Sequence, residues 1–327
     1  MNLRERTLAY MKSRHLSRRA MAELVDVRCS NLSKYLDSLP GCSKEVIEAA
    51  LGAYFLKLER AEARARRPEF IETQTAKIIL EKCQEADERR ELALLYGPSG
   101  IGKTFVVEEF IERCEKQANS EKPEVLFVTA HAASTPKSLM AALCLQAGIP
   151  HSGTAPTLAE SLVRRLETGH FLIIVDEANH LDIEAMELLR YVYDRGRLGV
   201  VLIGTLRLYE IFTNGSRPAS ELEQLWSRVG ICELLPGLTE YEARQMIQRT
   251  LGRIPEVTTK QILRQTGNSI RRLTELLERL RELREINSDY GLEDLIPVAG
   301  ESFLALRGCA HTKTTNRAEF NGVSGHD

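Results

Sequence analysis

The stretch Gly97-Pro98-Ser99-Gly100-Ile101-Gly102-Lys103-Thr104 has the form G-x-x-x-x-G-K-[ST], the spacing of a loop that wraps phosphate groups. The preceding Leu92-Ala93-Leu94-Leu95-Tyr96 reads as a buried strand, and Phe105 to Ile111 carries apolar residues at helical spacing. A motif this short needs that context of strand, loop and helix. Glycines let the backbone come close to the phosphates with its N–H groups pointing inward, and a helix beginning at the lysine adds the positive end of its dipole. Lys103 is then expected to reach the β- and γ-phosphates, and the Thr104 hydroxyl to face Mg²⁺. The eight residues from Gly97 to Thr104 thus imply a nucleoside triphosphate with Mg²⁺.

Outward from the loop, helix and strand alternate. Ile71–Arg90 reads as a helix, and strands follow at 92–96, 125–129, 171–175 and 199–203, with helices between them. Strands rich in Val, Ile and Leu that alternate with helices predict an α/β fold with a parallel sheet covered on both faces. After Thr239 the strands stop. Helical periodicity over 240–251, 258–266 and 270–286 predicts a helical lid, and the polar, aperiodic stretch 308–327 reads as disorder. The expected organisation is a helical N-terminal domain with a linker helix over 1–67, a nucleotide-binding α/β body over 68–238, the lid over 239–307 and the tail over 308–327.

Charge divides the chain in the same way. Net charge is −2 over 327 residues, but residues 1–67 hold 14 Lys and Arg against 8 Asp and Glu, leaving 30 basic and 38 acidic residues for the rest. A basic head on an acidic body fits a nucleic-acid-binding module attached to an enzyme. Residues 16–38 have the cadence of a helix-turn-helix. Ser17 caps a first helix with Ala20 and Leu24 facing inward, Val25-Asp26-Val27 makes the turn, and Leu32 and Leu36 are buried by a second helix. That phase leaves Arg28, Ser30, Asn31, Lys34 and Tyr35 on or near the outer face, with side chains suited to phosphates and base edges. A small helical bundle with a solvated charged face would have the same pattern. The charged helix from Ser43 to Arg67 ends before Pro68, and its tail 60–67 reads as an exposed helix or linker.

The seven cysteines are dispersed without a C-x-x-C pair, which argues for free thiols in a reducing compartment. No apolar run approaches the ~18 residues that a membrane span needs. A cytoplasmic protein without membrane partners is the expectation.

The third strand runs into Asp176-Glu177. Behind a phosphate loop, such a pair supplies a carboxylate for Mg²⁺ (Asp176) and one to polarise the attacking water (Glu177). The fourth strand ends in Gly204-Thr205, where Thr205 would help to orient that water or else cap a turn. Arg228, in Leu225-Trp226-Ser227-Arg228-Val229, is of the type that stabilises phosphoryl-transfer charge, here from a neighbouring subunit, or else is a surface salt-bridge arginine. In Gly267-Asn268-Ser269-Ile270-Arg271-Arg272, one arginine at a helix start would reach back to the nucleotide, with Arg271 preferred over Arg272.

This order of motifs resembles the AAA+ ATPases over about Phe70 to Leu306. Within that class, Asp176-Glu177-Ala178-Asn179-His180-Leu181, Leu202-Ile203-Gly204-Thr205 and the leading helix-turn-helix are most similar to the phage Mu B transposition protein family, with TnsC and IstB more distant. The resemblance implies an ATPase with slow, regulatory hydrolysis. It would form a homo-oligomer or helical filament on duplex DNA, deliver target DNA to a transposase and activate it. Further DNA contacts at His131, Lys137 and Arg190 are placed only by analogy with the family fold. The rival reading is a nucleotide-responsive transcription regulator whose helix-turn-helix reads an operator through Asn31 and Lys34.

Overall fold

The computed structural model describes residues 2–64, 70–116, 122–213, 219–267, 269–286 and 296. The expected tail over 308–327, the linker beyond residue 64 and Asn268 lie outside the described residues. Packing divides the chain into two units, Met1–Pro236 and Gly237–Asp327.

The first unit opens with four helices, α1 (Leu3–Ser13), α2 (Arg18–Leu24), α3 (Cys29–Leu36) and α4 (Lys44–Arg64). Asn2 and Glu5 close a capping box at the start of α1, and the Ser17 hydroxyl accepts from the Ala20 N–H at the start of α2. Asp26 takes a left-handed conformation (φ 51°) in the turn between α2 and α3. The side of α2 that faces the core differs from expectation. Met21, Ala22 and Val25 are buried, whereas Leu24 is 49% exposed and Ala20 is half-buried. Positions 21, 22 and 25 form a stripe one residue out of phase with 20 and 24, and the methionine, as the largest apolar group, sets the phase. From α3, Leu32, Tyr35 and Leu36 enter the same core, with Ile47, Leu51 and Phe55 of α4.

The body alternates helix and strand: α5 (Gln74–Arg89), β1 (Leu92–Tyr96), α6 (Lys103–Lys116), β2 (Glu124–Thr129), α7 (Pro136–Gln146), α8 (Ala155–Leu166), β3 (Phe171–Asp176), α9 (Ile183–Gly196), β4 (Gly199–Gly204), α10 (Leu206–Thr213), α11 (Ala219–Trp226) and β5 (Val229–Leu234). The five strands are parallel, in the order β2-β3-β4-β1-β5. Side chains along a strand alternate between faces. Thus Leu92, Leu94, Ile173, Val175, Val200 and Leu202 meet α7, α8 and α9 on one side, while Ala93, Leu95, Leu172, Ile174, Val201 and Ile203 meet α5 and α6 on the other. Each fully buried Leu, Ile or Val stabilises by about 1.5–3 kcal/mol, which is why these strands read as unbroken apolar runs rather than as alternating ones.

β5 was not expected as a strand from the sequence. It is an edge strand with one paired side and a largely solvated outer face, so Gly230, Cys232 and Glu233 interrupt its apolar signal. Gly230 lies at a register shift opposite Leu92 and Ala93, and an added Cβ there would lie 2.6 Å from Glu91 Oε2, so that side chain would have to move aside.

The helical head is seated on the body within this unit. Helix α4 runs against α7 where Gly52 lets the backbone approach Leu145, since a Cβ would sit 2.9 Å from its Cδ1. Beside that contact, Lys57 Nζ meets Glu124 Oε1 at 3.0 Å, and Glu124 Oε2 accepts from Arg165 Nη2 at 3.5 Å.

The second unit holds α12 (Glu240–Leu251), α13 (Glu256–Thr266) and α14 (Ile270–Ile286). Thr239 and Glu242 form a capping box, and Arg244 bridges Glu240 and Glu256 across α12 and α13.

Candidate functional site

Strand order decides the site. Because β1 lies beside β4 and β4 beside β3, the loop after β1, the end of β4 and the carboxylates ending β3 share one edge of the sheet. The Gly97 N–H donates to the Gly204 carbonyl (3.2 Å), which ties the start of the loop to the end of β4. A side chain at Gly97 would strike the Leu235 carbonyl oxygen at 2.7 Å. Gly100 and Gly102 take φ values of 80° and 84°, a region that favours glycine. Between them Ile101 sends its side chain into the core, anchoring a loop whose Pro98 and Ser99 are exposed.

Lys103 begins α6 and is only 5% exposed, with Nζ donating to the carbonyls of Pro98 (2.8 Å) and Gly97 (3.2 Å). A buried ammonium held by the carbonyls of its own loop is positioned for an anion bound in that loop. Thr104, on the first turn, donates its hydroxyl to Asp176 Oδ2 at 2.5 Å. Asp176 is fully buried. Burial pushes its carboxyl up from the ordinary range, opposed by the Thr104 hydroxyl and the Glu177 N–H. A buried carboxylate next to a hydroxyl is a hard oxygen pair that suits Mg²⁺.

Glu177 follows in a left-handed backbone conformation (φ 51°, ψ 34°), unusual for a residue with a side chain, and leads into a 3-10 turn over Ala178–His180. Its N–H donates to Asp176 Oδ1 at 2.8 Å. Thr205 stands one strand over, half-buried, with its N–H donating to Asn179 Oδ1 at 2.9 Å. Asn179 was not singled out as a site residue. Its signal was a polar residue between Ala178 and Leu181, both buried.

Arg228 lies elsewhere. It precedes β5, whose Val229 pairs with Leu92 at the start of β1, so it stands at the end of the sheet opposite its own phosphate loop. Its Nε donates to Asp194 Oδ1 of α9 (2.6 Å) and its Nη1 to the Gln224 carbonyl (2.6 Å). Asp194 also holds Arg190, which is paired with Glu187 as well. In the second unit Arg271 is exposed and Arg272 half-buried.

In the head, Arg28, Ser30 and Lys34 are exposed and Asn31 half-buried. Tyr35 departs from expectation. It is 6% exposed, and its phenol donates to Glu48 Oε1 (3.1 Å), with burial raising its pKa to about 12. The residue is three positions after Leu32, so it falls on the inward stripe. His131 and Lys137 are exposed around the start of α7.

A family model described as an AAA domain matches residues 86–212, which span the phosphate loop, the two carboxylates and Thr205. The Mu-like prophage FluMu DNA transposition protein B of Haemophilus influenzae is 30% identical over 283 residues, covering 84% of this chain and 95% of that protein. The chain belongs to this transposition protein B family. The ATP-dependent target DNA activator B proteins of Escherichia phages Mu and D108 are each 34% identical over 179 residues, 53% of this chain and 54% of theirs. The chain therefore spans about half the length of those two relatives. Among solved structures, the Aeropyrum pernix ORC1 protein in complex with DNA superposes with a TM-score of 0.55 at 20% identity, covering 72% of this chain and 66% of that one. That likeness concerns the fold, an AAA+ phosphate-loop architecture. Among the described residues no helix is long and apolar enough to cross a membrane.

Proposed function

We propose that this protein is an ATP-dependent DNA-binding ATPase that assembles on duplex DNA, presents that DNA as a transposition target and activates a partner transposase in the cytoplasm. The observation that carries the reading is the edge of the sheet where Lys103, Thr104, Asp176, Glu177 and Thr205 converge, in a chain whose first 67 residues are basic. The relatives support it, being named as a DNA transposition protein and as ATP-dependent target DNA activators.

The backbone of Gly97–Thr104 would cradle the phosphates, with Lys103 turning from its loop carbonyls to the β- and γ-oxygens. Thr104 and Asp176 are the residues to hold Mg²⁺, which when bound neutralises charge on those phosphates. Glu177 polarises the attacking water and Thr205 orients it. Arg228 is too far along the sheet to serve its own loop, so its role is to complete the site of a neighbouring protomer, and ATP then favours the oligomer by mass action. Arg271 is the lid arginine assigned to nucleotide. Slow hydrolysis suits a regulator that must persist on DNA. Arg28, Ser30, Asn31 and Lys34 supply the exposed face of the head, for contacts dominated by phosphates.

The test is DNA binding by the full chain with ATP, with a non-hydrolysed analogue and without nucleotide, on random and defined duplexes across a salt series. Lys103→Ala should abolish the ATP-dependent part of the affinity. Affinity should fall with salt by a log–log slope of about 0.9 per phosphate contacted, alike for all sequences. A large preference for one sequence would favour an operator-reading regulator instead, and unchanged ATP-dependent binding by Lys103→Ala would overturn the coupling.

A further inference from the structure

The carboxylate turn that follows β3 is tied on the β2 side by the Asp176 carbonyl, which accepts from the Ala130 N–H (2.8 Å), and on the α6 side by the Thr104 hydroxyl. Glu177 is in a left-handed conformation (φ 51°), which is strained for a residue with a side chain. Within the turn its carbonyl accepts from the His180 N–H (2.9 Å), and its N–H goes to Asp176. Neither bond reaches the neighbouring strand. The tie across to β4 that does is made by Asn179, 6% exposed, whose Oδ1 accepts from the Thr205 N–H at 2.9 Å.

The end of β4 is shaped to receive that side chain. A Cβ on Gly204 would lie 2.6 Å from Asn179 Oδ1 and 3.0 Å from Leu208, so the amide occupies the space a side chain at position 204 would take. Thr205 then turns the chain into α10, with its carbonyl accepting from the Leu208 N–H (2.9 Å). Gly204 in turn accepts from Gly97 at the root of the phosphate loop. The three strand ends are thus joined in series: β1 to β4 by backbone, and β4 to the carboxylate turn by one buried amide.

We propose that Asn179 is a positioning residue. It registers the Asp176–Glu177 turn against the end of β4, so that the Glu177 carboxylate and the Thr205 hydroxyl hold a fixed spacing around the water that attacks the γ-phosphate. The proposal rests on the reading of this edge as an ATPase site. In this arrangement Asn179 acts through the Thr205 amide and the turn that carries Glu177. Its acceptor oxygen is what matters, because only an acceptor holds the Thr205 amide.

The experiment compares Asn179→Leu, which keeps nearly the same shape without an acceptor, with Asn179→Asp, which keeps an oxygen there. Full-length variants are assayed for steady-state ATP hydrolysis, for binding of a fluorescent ATP analogue with Mg²⁺, and for hydrogen exchange at the Thr205 amide. Asn179→Leu should speed exchange at Thr205 and lower kcat by roughly 10- to 100-fold, the scale of a misplacement of about 1 Å. KM and analogue affinity should stay within about threefold, because the phosphate loop is untouched. Asn179→Asp should restore most of the exchange protection and of kcat. Unchanged Thr205 exchange in Asn179→Leu, equal losses in both variants, or a parallel loss of nucleotide affinity would overturn the proposal. Failure of the ATPase reading has a different signature, namely wild-type hydrolysis that Glu177→Gln leaves intact, and the exchange measurement judges the Asn179 tie independently of it.

Discussion

Burial pushes the carboxyls of both Asp87 and Asp176 up from the ordinary range, but the two have different company. Asp176 sits beside a hydroxyl and an amide at the candidate site, whereas Asp87 ends α5 with His170 Nε2 2.8 Å away, which pulls its pKa part of the way back. A carboxyl with a raised native pKa stabilises the fold below its unfolded pKa of about 3.9, and that contribution fades as pH rises through the higher native value. Asp87→Asn removes the dependence. The Tm of the variant relative to wild type should therefore climb as pH goes from about 4 towards neutrality, and a constant difference in thermal melts would refute this. Tyr35 gives a second case at this scale. Tyr35→Phe deletes only the phenol bonded to Glu48, so it should cost about 0.5–1.5 kcal/mol in denaturant unfolding and leave DNA affinity unchanged. A drop in affinity without a drop in stability would return Tyr35 to the DNA-facing set.

At the scale of elements, the parts of the fold legible in the sequence were those whose reasons are local. The three central strands β1, β3 and β4 could be read because both of their faces are apolar, the edge strand β2 because Val125 to Val128 is an unbroken apolar run, and the phosphate loop because its residue types and spacing follow one local pattern. The edge strand β5 could not, since its pairing partner lies over a hundred residues away and its outer face is solvated. The phase of α2 was missed because Ala20 and Leu24 make as good a local stripe as Met21, Ala22 and Val25, and only packing on α3 and α4 separates them. For the candidate site, Asp176 and Glu177 were legible as a strand-end pair, while the tie from Asn179 to Thr205 depends on which strands are neighbours. The same limit hid Asp194 of α9, which holds Arg228 at the foot of β5. A half-exposed ion pair of this kind is worth about 0.2–1 kcal/mol. If the arginine must leave Asp194 to serve a neighbour, Asp194→Asn should lower the protein concentration at which ATP drives assembly by a few-fold, about fivefold at most. Light scattering with and without ATP reads this directly, and a higher threshold would mean that Asp194 instead holds Arg228 in its working position.

At the scale of the first unit, the seat of α4 on α7 joins head and body in one compact unit up to Pro236. Gly52 packs directly on Leu145 of α7, and the indole in Gly52→Trp would collide with that side chain. Calorimetry of that variant should resolve the head as a separate transition at lower temperature while the body keeps its affinity for nucleotide. A single transition at the wild-type Tm would show that the seat contributes little. Arg228 has a consequence of another kind. With the phosphate loop at one end of the sheet and the arginine at the other, a stack of protomers joined arginine to loop has direction. Its first subunit would display a loop that no arginine answers, and its last an arginine with no phosphate to meet. Growth and loss at the two ends would then obey different rules, and the orientation in which the first protomer lands would decide which way the polymer points along the duplex.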